Sequence, residues 1–172
     1  TSVNHMGFVL LGVYTLNPYG VSGAVFQMFN HAVAIGLLFM LSGYIYEQAG
    51  TREIPLLKGL KDTMPRTSIL IVLASTAGMG VPIFAPFISE YMVIVGALSY
   101  DINLAFIVLV PVITASYFLW MLKRTLMTPV DKSGKKHRDL DRFSFLHLSI
   151  YIIPLLVLLI LPWLILDMVS IF

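Results

Sequence analysis

The chain has 172 residues, of which 58% are hydrophobic and 12% are charged. Soluble domains carry about 25% charged residues, so the composition excludes a soluble domain and predicts an all-α integral membrane protein. The net charge of +2 is too small to suggest a nucleic-acid partner. The absence of cysteine excludes disulfides, thiolate metal sites and iron–sulfur sites in this chain. The length predicts a single membrane domain, residues 1–172.

Five apolar segments follow one another along the chain, and we expect about five transmembrane helices. A span needs about 20 apolar residues. The predicted spans are residues 1–16, 22–46, 67–99, 102–127 and 143–172. Breaker residues at 17–20, Asn-Pro-Tyr-Gly, separate the first two spans. In the loop after the second span, four apolar residues predict a short stretch at the membrane interface: Ile54, Leu56, Leu57 and Leu60.

The third segment, residues 67–99, is too long for one plain span and too short for two. Four helix-breaking residues interrupt its middle: Gly78, Gly80, Pro82 and Pro86. Proline removes a helical hydrogen bond and clashes with the preceding turn. We therefore expect one broken helix with its half-helices meeting near the midplane, as in transporter ion sites. Broken backbone at that depth must be buried in protein or line a wet cavity.

Lysine and arginine concentrate in two connections, residues 47–66 and 123–142. The other two connections, at 17–20 and 99–103, contain neither residue type. With five spans, both basic connections fall on the same side. The positive-inside rule places that side in the cytoplasm or its organellar equivalent, with the N-terminus inside and the C-terminus outside.

Three titratable residues lie within the apolar segments, and we interpret them as a proton relay: His5, His31 and Glu90. An acid inside a membrane segment is a functional-site hypothesis by default. Imidazoles titrate near neutral pH and can both accept and donate a proton. The structural alternative is a hydrogen bond between helices for each histidine and a cation partner in another helix for Glu90. The sequence predicts no catalytic, cofactor-binding or metal-binding residue in this chain.

Three sequence blocks carry a family resemblance: SVNHMGFVLLG at 2–12, FNHAVAIGLLFMLSGYIYEQAGTREI at 29–54, and GMGVPIFAPFISEYMV at 78–93. In this order they resemble the antiporter-like subunits of respiratory complex I, in particular the C-terminal portion of the subunit 4, or chain M, type. The family often has glycine at two positions where this chain has Pro86 and Ser89. The resemblance covers roughly residues 1–96 by motif and the remainder by hydropathy and position.

The resemblance implies a fold of inverted five-helix repeats, each with one broken helix, of which this chain holds most of the second repeat. It implies that His5 and His31 are relay histidines and that Glu90 is the terminal acid of a hydrophilic axis. The chain would then be a membrane subunit of NADH:ubiquinone oxidoreductase, contributing part of a proton-translocation pathway. NADH, FMN, iron–sulfur clusters and quinone are expected in partner subunits, because this chain carries no redox centre.

The family's upstream lysine motif and the key residues of its first repeat are missing from this chain. We therefore expect a fragment or a split subunit, with a separate chain supplying the N-terminal half. One alternative is a subunit of a multi-subunit cation/proton antiporter or a membrane-bound hydrogenase-type complex. Another is a structural subunit that has lost transport. The expected location is the mitochondrial inner membrane, or alternatively a prokaryotic plasma membrane.

Overall fold

The computed structural model describes residues 1–129 and 138–169, and these residues form helices joined by short connections. The α-helices are α1 (Ser2–Tyr14), α2 (Pro18–Ala49), α3 (Leu60–Thr63), α4 (Pro65–Gly78), α5 (Ala85–Tyr100), α6 (Leu109–Leu126), α7 (Arg142–Ser149), α8 (Ile152–Ile160) and α9 (Trp163–Val169). Two 3₁₀ segments, Ile54–Leu56 and Ile102–Val108, complete the described elements. The predicted all-α fold agrees with these helices.

Three stretches of the described residues are long and apolar enough to cross a membrane: Pro18–Ala49, Ile102–Leu126 and Arg142–Ile160. Ala85–Tyr100 is a shorter apolar helix. The chain is therefore an integral membrane protein, while the count of five spans stays a prediction. The last predicted span is divided into three helices, and its end at 170–172 lies outside the described residues. So do residues 130–137 of the second basic connection.

The predicted turn at 17–20 is the start of a helix. Asn17 is the N-cap of α2, and its Oδ1 accepts a hydrogen bond from the backbone N–H of Gly20 at 2.8 Å. Pro18 occupies the first helical position. A backbone N–H there has no acceptor within the helix, so proline, which lacks the N–H, fits this position. The second span therefore begins four residues before the prediction of residue 22 and extends to Ala49. Gly50, with φ of 71°, ends it in the left-handed conformation that glycine adopts readily.

Glycines bring α1, α2 and α5 close together. A Cβ on Gly96 of α5 would lie 2.6 Å from both Cα and N of Gly20 in α2. A Cβ on Gly12 of α1 would lie 2.5 Å from the carbonyl oxygen of Gly20. Asn17 Nδ2 donates to the carbonyl oxygen of Gly96 at 2.7 Å across the same contact. Small residues of this kind let helices in membranes approach closely, and here they hold the three helices that carry His5, His31 and Glu90.

The main apolar core lies between α2, α4, α6 and α8, and includes Leu37, Leu70, Phe118 and Leu155. Leu57 and Leu60 of the first basic connection are buried in this core, with 8% and 2% of their surfaces exposed. These two residues therefore pack on the bundle itself, and the position of this stretch at the membrane interface stays a prediction. Leu56 beside them is 66% exposed.

The described parts of the two basic connections meet at one end of the bundle. There Asp139, which is distant from α4 in sequence, caps the N-terminus of α4. Its carboxylate accepts hydrogen bonds from the backbone N–H groups of Arg66 and Thr67 at 2.8 and 3.1 Å, and from the Thr67 hydroxyl at 2.8 Å. The N-cap position of α4, Met64, supplies no side-chain acceptor. Asp139 therefore satisfies helix N–H groups that would otherwise lack a partner, and it ties α4 to the segment that precedes α7.

We expect Gly96→Ala to destabilise the bundle by about 1–3 kcal/mol, because its Cβ would collide with backbone atoms that cannot rotate away. The apparent melting temperature of the purified protein measures this change. Gly43→Ala is the matched control, since a Cβ on Gly43 in α2 has nothing within 4 Å. An equal loss in both variants would contradict the close-contact explanation.

We expect Asp139→Ala to lower the free energy of unfolding by about 1 kcal/mol, the usual effect of losing a helix cap. Burial alone raises the pKa of Asp139, but the hydrogen bonds from Arg66, Thr67 and Leu140 outweigh it and hold the pKa below the ordinary 3.8. The stabilisation is therefore complete above pH 3.8 and is lost as the pH falls through the folded-state pKa.

Thermal denaturation at neutral and acidic pH tests the Asp139 contribution. Asp62→Ala, which removes an exposed carboxylate in the same end of the bundle, is the control. A difference between Asp139→Ala and the unmodified protein that stays constant down to pH 2, well below the ordinary 3.8, would show that the carboxylate is not the capping group.

Candidate proton-transfer site

The broken helix predicted at residues 67–99 is present as α4 and α5, with a non-helical stretch at 79–84 between them. Gly78 ends α4, and Gly80 follows in the left-handed conformation with φ of 68°. Pro82 lies within the stretch, and Pro86 falls in the first turn of α5. Proline is tolerated there because the first N–H groups of a helix have no intrahelical acceptor.

Glu90 lies in the second turn of α5 and is 4% exposed. Its carboxyl rests against the break, since a Cβ on Gly80 would lie 2.5 Å from Oε2 and 3.0 Å from the carboxyl carbon. Gly80 is therefore required for two reasons: the positive φ, which L-residues rarely adopt, and the space that the carboxyl occupies. The break and the acid form one structural unit.

The structure brings all three predicted relay residues together from three helices. His5 of α1 lies with Nε2 3.7 Å from Oε1 of Glu90 and is 1% exposed. Its Nδ1 lies 2.8 Å from Nδ1 of His31 in α2, and the two rings meet edge to face with centroids 5.0 Å apart. The order of groups is Glu90, His5, His31. His31 lies at the partly exposed end of this row.

The short distance between the two histidines fixes how protons are shared. Two ring nitrogens at 2.8 Å form a hydrogen bond only when one carries a proton and the other does not. If neutral His5 donates from Nδ1, its Nε2 is bare and faces the Glu90 carboxyl. A proton received at Nε2 then allows the Nδ1 proton to leave for His31. The row can therefore pass a proton through an imidazole without moving the ring.

The structural alternative for Glu90 was a cation in another helix. Among residues 1–129 and 138–169, the ionisable partner within 4.0 Å of its carboxyl is His5. The 3.7 Å separation exceeds an ordinary hydrogen bond of about 2.7–3.2 Å. The geometry therefore places a titratable ring beside the acid in this part of the chain.

Sequence reasoning assigned no role to two polar side chains beside the row, Gln27 and Ser89. With Asn30, they are fully buried between α2 and α5. Asn30 Nδ2 donates to Ser89 Oγ at 3.2 Å, and Ser89 Oγ in turn contacts the Gln27 side-chain oxygen and the carbonyl oxygen of Pro86. The available signal was the spacing of Gln27, Asn30 and His31, which puts three polar groups on one face of an apolar helix.

These features define the class of protein: a helical membrane protein with a row of titratable side chains at a break between two half-helices. Residues 1–117 match the family described as "NADH:quinone oxidoreductase/Mrp antiporter, TM". The chain belongs to this family. The resemblance to the antiporter-like subunits of complex I, drawn from sequence motifs, is thereby confirmed.

Named relatives and a solved structure agree with the family. The chain is 30% identical over 171 residues to NADH-quinone oxidoreductase subunit M of Mycobacterium tuberculosis, covering 99% of this chain and 31% of that protein. It is 33% identical over 159 residues to F(420)H(2) dehydrogenase subunit M of Methanosarcina mazei, covering 92% and 32%. Its fold matches a chain of respiratory complex I from Thermus thermophilus with bound NADH, with a TM-score of 0.82 and 29% identity, covering 94% and 34%. The chain spans about a third of the length of these proteins.

We expect Gly80→Ala to displace the Glu90 carboxyl, because the new Cβ would start 2.5 Å from Oε2 and ordinary contact begins at 3.4 Å. The carboxyl must move by roughly 1 Å, and an experimental map of the variant measures that shift. Gly50→Ala is the matched control, with nearly the same positive φ of 71° and nothing within 4 Å of its Cβ. An unmoved carboxyl in Gly80→Ala would contradict the packing described for the break.

Proposed function

We propose that this chain is a membrane subunit of an NADH:quinone oxidoreductase of the complex I type, and that it contributes part of the proton-translocation pathway. One observation supports the proposal above all. Three helices converge so that Glu90, His5 and His31 form a continuous row at a helix break. Intramembrane titratable groups are costly to bury and are retained where protons or ions move.

The proposed proton transfer uses the geometry of the row. Glu90 releases its proton toward His5 Nε2, and the imidazole passes its Nδ1 proton to His31. The carboxyl must first close the 3.7 Å gap to Nε2, so small movements of the helix break control the transfer. Charge changes in neighbouring subunits would act on this step, since Coulomb interactions are strong where water is excluded.

The chain itself is proposed to carry out no redox chemistry. NADH, FMN, iron–sulfur clusters and quinone are proposed to bind in partner subunits of the same complex. The M. mazei relative is named an F(420)H(2) dehydrogenase subunit, so relatives of this chain work with more than one electron donor.

Two finer expectations stay predictions. One is a separate chain that supplies the N-terminal half. The other is the compartment, proposed as the mitochondrial inner membrane with a prokaryotic plasma membrane as the alternative. The relatives named above come from bacteria and an archaeon.

A second candidate function is a subunit of a multi-subunit cation/proton antiporter, and the description of the matched family favours it by including Mrp antiporters. The same titratable row would then exchange protons against a cation. Proton movement in vesicles that depends on sodium and proceeds without an electron donor would support this function over the first.

We expect Glu90→Gln to lower the number of protons translocated per electron pair while leaving assembly intact, because glutamine keeps the shape of the side chain but cannot exchange a proton. Acidification or alkalinisation of proteoliposomes containing the whole complex, measured against quinone reduction, gives this ratio. Glu53→Gln is the control, since Glu53 is exposed in the first basic connection. A normal ratio in a fully assembled Glu90→Gln complex would contradict the proposed role.

A further inference from the structure

We propose that Gln27 is a positioning residue for the Glu90 carboxyl, and that Ser89 and Asn30 orient its amide group. The inference rests on the proposed function of Glu90 and adds residues that set how that acid is held. It assigns a role to three fully buried polar side chains that take no part in the proton row itself.

The orientation of the Gln27 amide follows from counting hydrogens. Ser89 Oγ accepts a hydrogen bond from Asn30 Nδ2 at 3.2 Å, so its own single proton remains to be donated. Ser89 Oγ also contacts Gln27 Oε1, and two oxygens in such contact need a proton between them. The Pro86 carbonyl oxygen is a second acceptor for this proton, at 2.9 Å from Ser89 Oγ, but the contact with Gln27 Oε1 is the closer of the two. Ser89 therefore donates to the oxygen of Gln27 and leaves the amide nitrogen directed away from itself.

The Gln27 nitrogen is then left to serve Glu90. Gln27 Nε2 is buried without a partner at hydrogen-bonding geometry among the described residues, and the Gln27 side chain faces the Glu90 carboxyl. A buried N–H group that lacks a partner costs about 1–3 kcal/mol. The acceptor we assign to this nitrogen is the Glu90 carboxyl. Its ionised form accepts more strongly than its protonated form, so the amide holds the carboxyl chiefly when the proton has left toward His5.

Asn30 completes the arrangement from the same helix. Its Nδ2 fixes the Ser89 hydroxyl, and its Oδ1 is a second buried polar atom without a partner in the described part of the chain. Gln27 and Asn30 are three residues apart, so they lie on one face of α2. Ser89 and Glu90 are adjacent in α5. The contact between these two helices thus holds the acid through one hydroxyl and one amide.

The titratable surroundings of Glu90 are few. His5 faces it from α1, and His31 of α2 lies beyond His5. The charged residue of α2 is Glu47, near the C-terminal end of that helix. Of the other elements packed against α5, α4 carries a single charged residue, Arg66 at its far end, and the 3₁₀ segment Ile102–Val108 and α8 carry none. A change in the pH dependence of proton transfer on losing Gln27 would therefore report on this amide.

The test compares three variants in the assembled complex: Gln27→Met, Ser89→Ala and Ser75→Ala. Gln27→Met keeps the length of the side chain and removes the amide, and Ser89→Ala removes the hydroxyl that orients it. Ser75→Ala is the matched control, because Ser75 is a fully buried serine of α4 whose hydroxyl has no hydrogen-bond partner within residues 1–129 and 138–169. The readout is the number of protons translocated per electron pair as a function of pH.

We expect Gln27→Met to shift this pH profile by roughly one pH unit, because it removes the amide donor to the ionised carboxyl. Ser89→Ala should shift the profile in the same direction by less, because it removes the hydroxyl that orients this amide. Ser75→Ala should leave the profile in place. If the Gln27→Met complex fails to assemble, the pH profile of Ser89→Ala tests the proposal alone. That substitution deletes one oxygen atom, so we expect the complex to assemble.

Unshifted profiles in both variants, or an equal shift in Ser75→Ala, would overturn the proposal, and a shift in Gln27→Met alone would overturn the orienting role of Ser89. Failure of the proposed function is a different result. In that case Glu90→Gln itself would translocate protons normally.

Discussion

The carboxyl of Glu90 rests on the backbone of Gly80, at the point where α4 stops and α5 has yet to start. Several other features of the fold make this contact possible. Gly80 supplies both a positive φ and the space left by a missing Cβ. The break would be unstable if it faced lipid, because unsatisfied backbone groups in hydrocarbon cost several kcal/mol. Helices α1 and α2 contribute the two histidines beside it, and Met79 and Phe84 at the two ends of the break are buried.

The close packing of α1, α2 and α5 holds the side chains of this site in their relative positions. Gly12, Gly20 and Gly96 allow backbone-to-backbone contact, which fixes the rotation of each helix about its axis. A rotation of one residue would carry His5 away from Glu90 or His31 away from His5, since successive helical residues point about 100° apart. At the opposite end of the bundle, Asp139 anchors the start of α4. The broken helix is therefore held at both of its ends.

The sequence predicted the helical class, the helix break and the three titratable residues, because each depends on local composition. An acid or a histidine within an apolar run is visible without a structure. The sequence indicated no role for Gln27 or Ser89, since that role depends on how α2 and α5 face each other. Asp139 was overlooked as a cap because it lies 72 residues from Thr67 in sequence. Asn17 was interpreted as a helix stop, although the same residue types also begin helices.

The central claim is that Glu90 exchanges a proton during turnover, and infrared difference spectroscopy of the working complex tests it most directly. The spectrum of the complex during quinone reduction, minus that at rest, should contain a carboxyl C=O stretching band. That band should be missing from the Glu90→Gln complex and still present in the Glu53→Gln complex. A difference spectrum that is identical in the Glu90→Gln and unmodified complexes would contradict proton exchange at Glu90 and would leave the row as a structural contact.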